Sequence, residues 1–310
     1  MSSASLLDPR NALLVVLALV ALAYIVLVVR ATQRGVSEGE RAAPDALRVG
    51  TGFITNFFDT LGIGSYATTT AIFRRFSLVR DERIPGTLNF GHTLPTVAQA
   101  FIFTKIVPVD PKTLILLIVA AVLGAWVGAG VVAKWPRRRI QFGMAIALFV
   151  ASALLIMTLA NRNPQEGTLL ELTGTKLALA FAGNVVLGAL MTLGIGLYAP
   201  CLILVTLLGM NDKSGYPIMM GACAFLMPVA VVRFIRARAY HPPSMLSMAI
   251  PGMLAVPLAF KWFQNLDMKW VKVIVIFVVA YASITMLLTA YREKGTAAAS
   301  RTASLEGASA

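Results

Sequence analysis

The residues best placed to do chemistry lie in two matching stretches. Thr60-Leu61-Gly62-Ile63-Gly64-Ser65-Tyr66-Ala67 and Thr192-Leu193-Gly194-Ile195-Gly196-Leu197-Tyr198-Ala199 agree at seven of eight positions, 132 residues apart. Each sets Gly-x-Gly inside a long apolar run, where a plain membrane helix has no use for a glycine pair. Glycine permits a turn there without a Cβ clash. The residues beyond the turn begin a new half-helix, and its free N–H groups point back at the gap. Such an end favours an anion. Two ends facing one another would hold a small oxyanion with no buried arginine. A single Gly-x-Gly more often marks close helix packing, but a matched pair at equivalent positions reads as a site. Hydroxyls that could donate to the anion follow each break. The candidate binding residues are Gly62, Gly64, Ser65, Tyr66, Thr68, Asn89, His92, Gly194, Gly196, Tyr198 and Cys201, and Pro200 suits a first helical turn.

Two ionisable groups at depth stand apart, since such groups are expensive in a membrane. Asp59 precedes the first break and has Met191 as its counterpart. It could carry a coupling proton, and the competing reading is a helix cap or a partner for an arginine. His92, within Asn89-Phe90-Gly91-His92-Thr93, could bind an anion or a proton, against a hydrogen-bonded packing role. Asn56, Gln99 and Asn184 are weaker candidates. Cys201 and Cys223 lie in apolar segments and read as small packing residues rather than a disulfide, redox or metal pair. No zinc motif, P-loop or Ser-His-Asp set is present, so no cofactor and no metal is expected. Two other classes stay open. One is a cation or metal carrier using Asp59, His92 and Cys201, a thin ligand set. The other is a membrane-embedded enzyme, for which no nucleophile–base pair is evident.

The elements that must position these residues are membrane helices. Of 310 residues, 58% are hydrophobic and only 13% charged, about half the charged share of a soluble domain. Apolar runs long enough to cross a ~30 Å hydrocarbon layer recur, so the reading is an all-α polytopic membrane protein. The net charge of +13 sits in short loops, as expected for orientation by the positive-inside rule, and no nucleic-acid motif accompanies it. Residues 1–48 read as a retained N-terminal helix over 11–29, in preference to a signal peptide, followed by a polar linker. Residues 49–160 form a first module with its break at 49–73 and runs at 86–104, 113–133 and 140–160. Residues 161–176 connect it to a second module, 177–294, with its break at 177–209 and runs at 217–232, 245–260 and 271–290. Residues 295–310 read as a disordered tail. The same offset aligns Pro85 with Pro217 and Pro111 with Pro243. Gly124, Gly128 and Gly130 suit close helix contact inside the monomer, with a homodimer face as the alternative.

The basic loops 74–83, 134–139 and 233–243 share one side only if each broken segment enters and leaves on the same face. That arrangement makes the modules an inverted-topology repeat, in preference to continuous broken spans. It puts the N-terminus outside and the C-terminus in the cytoplasm of a cell that keeps the chain in its inner, cytoplasmic membrane.

Duplicated modules that each open with Leu-Gly-Ile-Gly, here at Gly62-Ile63-Gly64 and Gly194-Ile195-Gly196, with Pro200 after the second, resemble the TauE/SafE sulfite exporters, also called the TSUP family. The resemblance covers about residues 49–290, leaving the helix at 11–29 and the tail outside. It implies a secondary transporter that exports sulfite, an organosulfonate or another small sulfur-containing anion by alternating access. Ser65-Tyr66 after Gly64, and Thr68 in place of a proline, depart from the family's longer glycine run.

Overall fold

Pro85 at the start of one helix, Pro242 and Pro243 at the start of another, and the Asp45 carboxylate accepting from Leu47 N at 3.1 Å set clean helix beginnings. A computed structural model describes residues 8–37, 45–131, 167–192 and 196–265, with isolated helical positions between 146 and 156 and between 270 and 288. Gly194 lies outside the described residues. Those described form nine α-helices: α1 Pro9–Ser37, α2 Ala46–Thr60, α3 Ser65–Arg75, α4 Ile84–Ile106, α5 Pro111–Val131, α6 Gly174–Met191, α7 Tyr198–Leu207, α8 Gly215–Arg236 and α9 Pro242–Gln264. Five stretches among the described residues are long and apolar enough to cross a membrane. The chain is a multi-pass, all-helical membrane protein. Helix α1 runs eight residues past the 11–29 run, so helix replaces the first part of the polar linker expected over 30–48.

The element order recurs at the spacing of the glycine stretches. Adding 132 to the bounds of α2 to α5 gives 178–192, 197–207, 216–238 and 243–263, within four residues of α6 to α9. Even the helix ends correspond. The turn beyond α3 passes through Ser77 and the turn beyond α7 through Gly209, equivalent positions with φ of 51° and 95°. In each case the next amide bonds back across the turn, Leu78 N to Phe73 O at 2.9 Å and Met210 N to Val205 O at 3.1 Å.

Both broken segments fold back on themselves. Arg48, in the first turn of α2, donates from Nη2 to Leu78 O, just beyond α3, at 3.2 Å. A straight helix would hold two residues thirty apart at about 45 Å. Likewise Leu169, ahead of α6, accepts from Asn211 N at 2.8 Å and donates to Gly209 O at 3.2 Å, beyond α7. The two hairpins enter from opposite ends of α4. The mouth of the first, at Arg48, bonds Ser244 Oγ at 2.9 Å, and neighbouring His241 N bonds Thr87 Oγ1 near the start of α4 at 3.0 Å. The mouth of the second bonds Asp110, just past the end of α4, through Asp110 N to Leu170 O at 2.9 Å. Twenty-three residues of α4 separate these ends by about 34 Å.

Helix α1 runs antiparallel to α4. Arg10 donates to Val109 O at one end, the buried Tyr24 hydroxyl to Phe90 O at 2.5 Å along the way, and Ala31 O accepts from Tyr240 at 3.3 Å at the other. Its other face exposes Val15, Leu19, Leu22 and Val26, which suits lipid. Between α5 and α6 the backbones touch. A Cβ on Gly124 would fall 1.9 Å from Val185 O, one on Gly128 2.3 Å from the Ala189 Cβ, and one on Gly188 2.0 Å from Ala121 O. Gly124 and Gly128 thus serve contact within the chain. Gly124→Leu is expected to force α5 and α6 apart and cost about 3 kcal/mol or more, read as a lowered thermal midpoint in detergent with loss of the monodisperse peak.

Residues 134–164 and 272–310 group as a separate compact unit. Among its described positions, Ile146, Phe149 and Ile156, and Phe277, Tyr281, Ile284 and Leu288, are exposed apolar residues at helical spacing.

Candidate functional site

The end of the first hairpin is built by one glycine that closes a helix and another that opens the next. Gly62, at φ 94°, ends α2, with Gly62 N donating to Asp59 O at 2.9 Å and Ile63 N to Phe58 O at 3.2 Å. Only glycine adopts this conformation without strain. The Tyr216 hydroxyl fastens the turn from α8 by donating to Leu61 O at 2.9 Å. Gly64, at φ 86°, then starts α3. The orphan amide of Ser65 is taken at once by the chain itself, donating to Asp59 Oδ1 at 2.6 Å. Asp59 is therefore the cap of the half-helix, one of the roles its position allowed.

The two hairpin ends meet, and they do so reciprocally. A Cβ on Gly64 would lie 4.0 Å from Tyr198 Cβ, and one on Gly196 would lie 3.6 Å from Tyr66 Cβ. Each glycine faces the other hairpin's tyrosine. Between them is a small cavity lined by Asp59, Gly64, Ser65, Tyr66, Thr96, Met191, Gly196, Leu197, Tyr198 and Met227, with room for about one water. Thr96 lies at the middle of α4 and Met227 at the middle of α8, so the cavity lies halfway along both helices.

A buried amide ties the ends together. Gln99 Nε2 donates to Asp59 Oδ2 at 3.1 Å and to Thr60 Oγ1 at 2.9 Å, while Gln99 Oε1 accepts from the Tyr198 hydroxyl at 2.5 Å. The chain Asp59–Gln99–Tyr198 thus crosses from one hairpin to the other through α4. The Tyr66 hydroxyl, equally buried, has no hydrogen-bond partner among the described residues.

Several sequence candidates lie outside this cluster. His92 sits behind Tyr66, ring centroids 5.8 Å apart. Its Nε2 pairs with Thr69 Oγ1 at 3.1 Å and its Nδ1 with Asn56 Oδ1 at 3.0 Å. Because Asn56 Nδ2 donates to Gly52 O at 2.7 Å, its Oδ1 is the acceptor, so Nδ1 of His92 carries the proton and Nε2 accepts from the threonine. His92 therefore braces α3 against α2. Thr68 Oγ1 donates to Ser65 O at 2.9 Å, Asn89 Nδ2 to Pro85 O at 2.8 Å, and Cys201 Sγ to Asn184 Oδ1 at 3.3 Å. None of these four residues lines the cavity. Gly62 shapes the turn rather than the wall. Among the described residues no three His, Cys, Asp or Glu side chains converge as metal ligands. The sequence reading overlooked Thr96, Met191, Leu197 and Met227. Met191 had a signal, as the apolar counterpart of Asp59, and Thr96 stands one turn from Gln99 on α4.

Residues 2–156 match the family described as Sulfite exporter TauE/SafE. The chain belongs to the TauE/SafE family. Membership makes it a membrane transporter of the sulfite-exporter type, and the family is one of transporters rather than enzymes. The match begins ahead of α1 and ends within the first module, so the N-terminal helix lies inside the family pattern. The expected span of 49–290, which left that helix out, is corrected accordingly. No curated protein and no solved structure matches the chain.

Proposed function

We propose that this TauE/SafE protein is a secondary transporter that moves a small sulfur-containing anion, such as sulfite or an organosulfonate, out across the cytoplasmic membrane. The anion sits between the two hairpin ends at mid-membrane, and the protein gives access to it from each side in turn. The observation that carries this reading is the reciprocal contact of Gly64 with Tyr198 and of Gly196 with Tyr66. It brings two broken segments from matching sequence positions to one small cavity. Entry of the hairpins from opposite ends of α4 supports an inverted-topology repeat of 49–160 and 177–294, formed by duplication. The basic mouth of the first hairpin, with Arg48, Arg74, Arg75 and Arg80, then faces the cytoplasm, with the N-terminus outside and the C-terminus inside.

The cavity's size fits a closed state, with the ends together and no room for substrate. Gly64, Ser65, Tyr66, Gly196 and Tyr198 are the binding residues of this proposal, with Gly62 and Gly194 setting the turns. Of the two candidate coupling groups, Asp59 is the one at the cavity, and a proton carried on it would release the α3 amide end.

Gly196 gives the cleanest test. Its φ lies outside the left-handed region and a Cβ there meets only ordinary contact, so Gly196→Ala is expected to fold as the wild type does. The added methyl occupies a space of about one water, and sulfite efflux from proteoliposomes is expected to fall about tenfold. Bulky replacement of Gly62 or Gly194 should abolish efflux. Unchanged efflux in folded Gly196→Ala protein would place the site elsewhere.

A further inference from the structure

The two hairpin ends occupy matching sequence positions but differ in occupancy. At the first, the amide of Ser65 is bonded to Asp59 Oδ1 at 2.6 Å, and the tyrosine facing that end, Tyr198, is bonded through Gln99 to the same carboxylate. At the second, the residue equivalent to Asp59 is Met191, which cannot cap. Among the described residues no side chain caps α7. Pro200 lacks an N–H, which leaves the first-turn amides of Tyr198 and Ala199 as its donors. The tyrosine facing this end, Tyr66, is 4% exposed, lines the cavity and has a hydroxyl with no partner among the described residues. One end thus holds an anion supplied by the chain, with both its donors engaged. The other offers first-turn amides and a tyrosine hydroxyl with no side-chain partner among the described residues. A buried unpaired donor is costly, and the cost is recovered when an acceptor arrives.

We propose that the hairpin ends form two equivalent oxyanion seats, that Asp59 fills the first, and that the transported anion takes the second, made by the α7 amides and the Tyr66 hydroxyl. Asp59 is in this sense a resident copy of the substrate. It fixes the number of bound anions at one, although the fold repeats the seat. The proposal rests on the reading that the cargo is a small anion held between the hairpin ends, and adds which end holds it.

The test is sulfite titration by calorimetry on the purified full-length protein in detergent, with elution profile and thermal midpoint as folding controls. Wild type is expected to bind one sulfite. Met191→Asp puts a carboxylate in the second seat and should lower affinity more than tenfold. The exchange Asp59→Met with Met191→Asp moves the resident anion to the other hairpin, and should restore binding of one sulfite to within about threefold of wild type. Tyr66→Phe, which removes only the hydroxyl, should weaken binding about tenfold through the lost charge-assisted bond, whether or not Met191→Asp folds. Wild-type affinity in folded Met191→Asp or in Tyr66→Phe overturns the two-seat assignment and leaves the proposed function standing. Binding of neither sulfite nor a short alkanesulfonate by the wild type overturns the proposed function itself, and this inference with it.

Discussion

Gln99→Leu is expected to abolish sulfite efflux and to destabilise the protein by about 3 kcal/mol. Gln99 is fully buried and makes three side-chain hydrogen bonds, to Asp59, Thr60 and Tyr198. Leucine fills most of its volume and makes none of them. The cost falls mainly on the partners left behind. Asp59 keeps the Ser65 amide on Oδ1 but loses its neighbour on Oδ2, and the Tyr198 hydroxyl loses its acceptor. Both stay away from water, where an unsatisfied polar group costs about 1–3 kcal/mol. The functional loss has a separate cause. Gln99 holds both hairpins at once, through Asp59 and Thr60 of the first and Tyr198 of the second, so without it their relative position is loosened. The thermal midpoint in detergent reads the first effect and proteoliposome efflux the second. Gln99→Leu protein with wild-type stability and efflux would show that the bridge carries neither.

His92→Leu is expected to be comparably damaging to the fold, by about 2–4 kcal/mol. It leaves Asn56 Oδ1 and Thr69 Oγ1 unpaired between the arms of the first hairpin. The informative comparison is His92→Gln, whose amide can donate toward Asn56 and accept from Thr69. If His92 is a brace, His92→Gln recovers much of the stability and keeps efflux that responds to a proton gradient as the wild type's does. If His92 carries a coupling proton, His92→Gln folds but its efflux no longer responds to the gradient. The bonding of both ring nitrogens to uncharged partners predicts the first outcome.

What could be read from the residues divides along a physical line. Features set by local backbone chemistry were legible. Gly-x-Gly in an apolar run marked both breaks, and charge in the loops required each broken segment to turn back. Arg48 lies against Leu78 and Leu169 against Asn211, pairs that such a turn would bring together. Gly124 and Gly128 read as packing residues, and they meet α6. What sequence spacing could not give was the partner across space. Thr68, Asn89, His92 and Cys201 are polar or soft groups in apolar segments, the type that lines sites. Each instead satisfies a nearby backbone or side-chain group, and that choice depends on which helix lies alongside. Met191, Leu197 and Met227 carry no polar signal, and only the meeting of the hairpins makes them walls. The linker after residue 29 looked polar, yet α1 continues into it, since Arg, Thr and Gln extend a helix as readily as they form a loop.

The most direct test of the account is a structure of the protein with selenite, the heavier analogue of sulfite, located by its anomalous scattering. The account predicts one peak between the Tyr66 hydroxyl and the first turn of α7, with Asp59 still on Ser65 N. A selenite peak away from both hairpin ends, with the cavity between them unfilled, would contradict it.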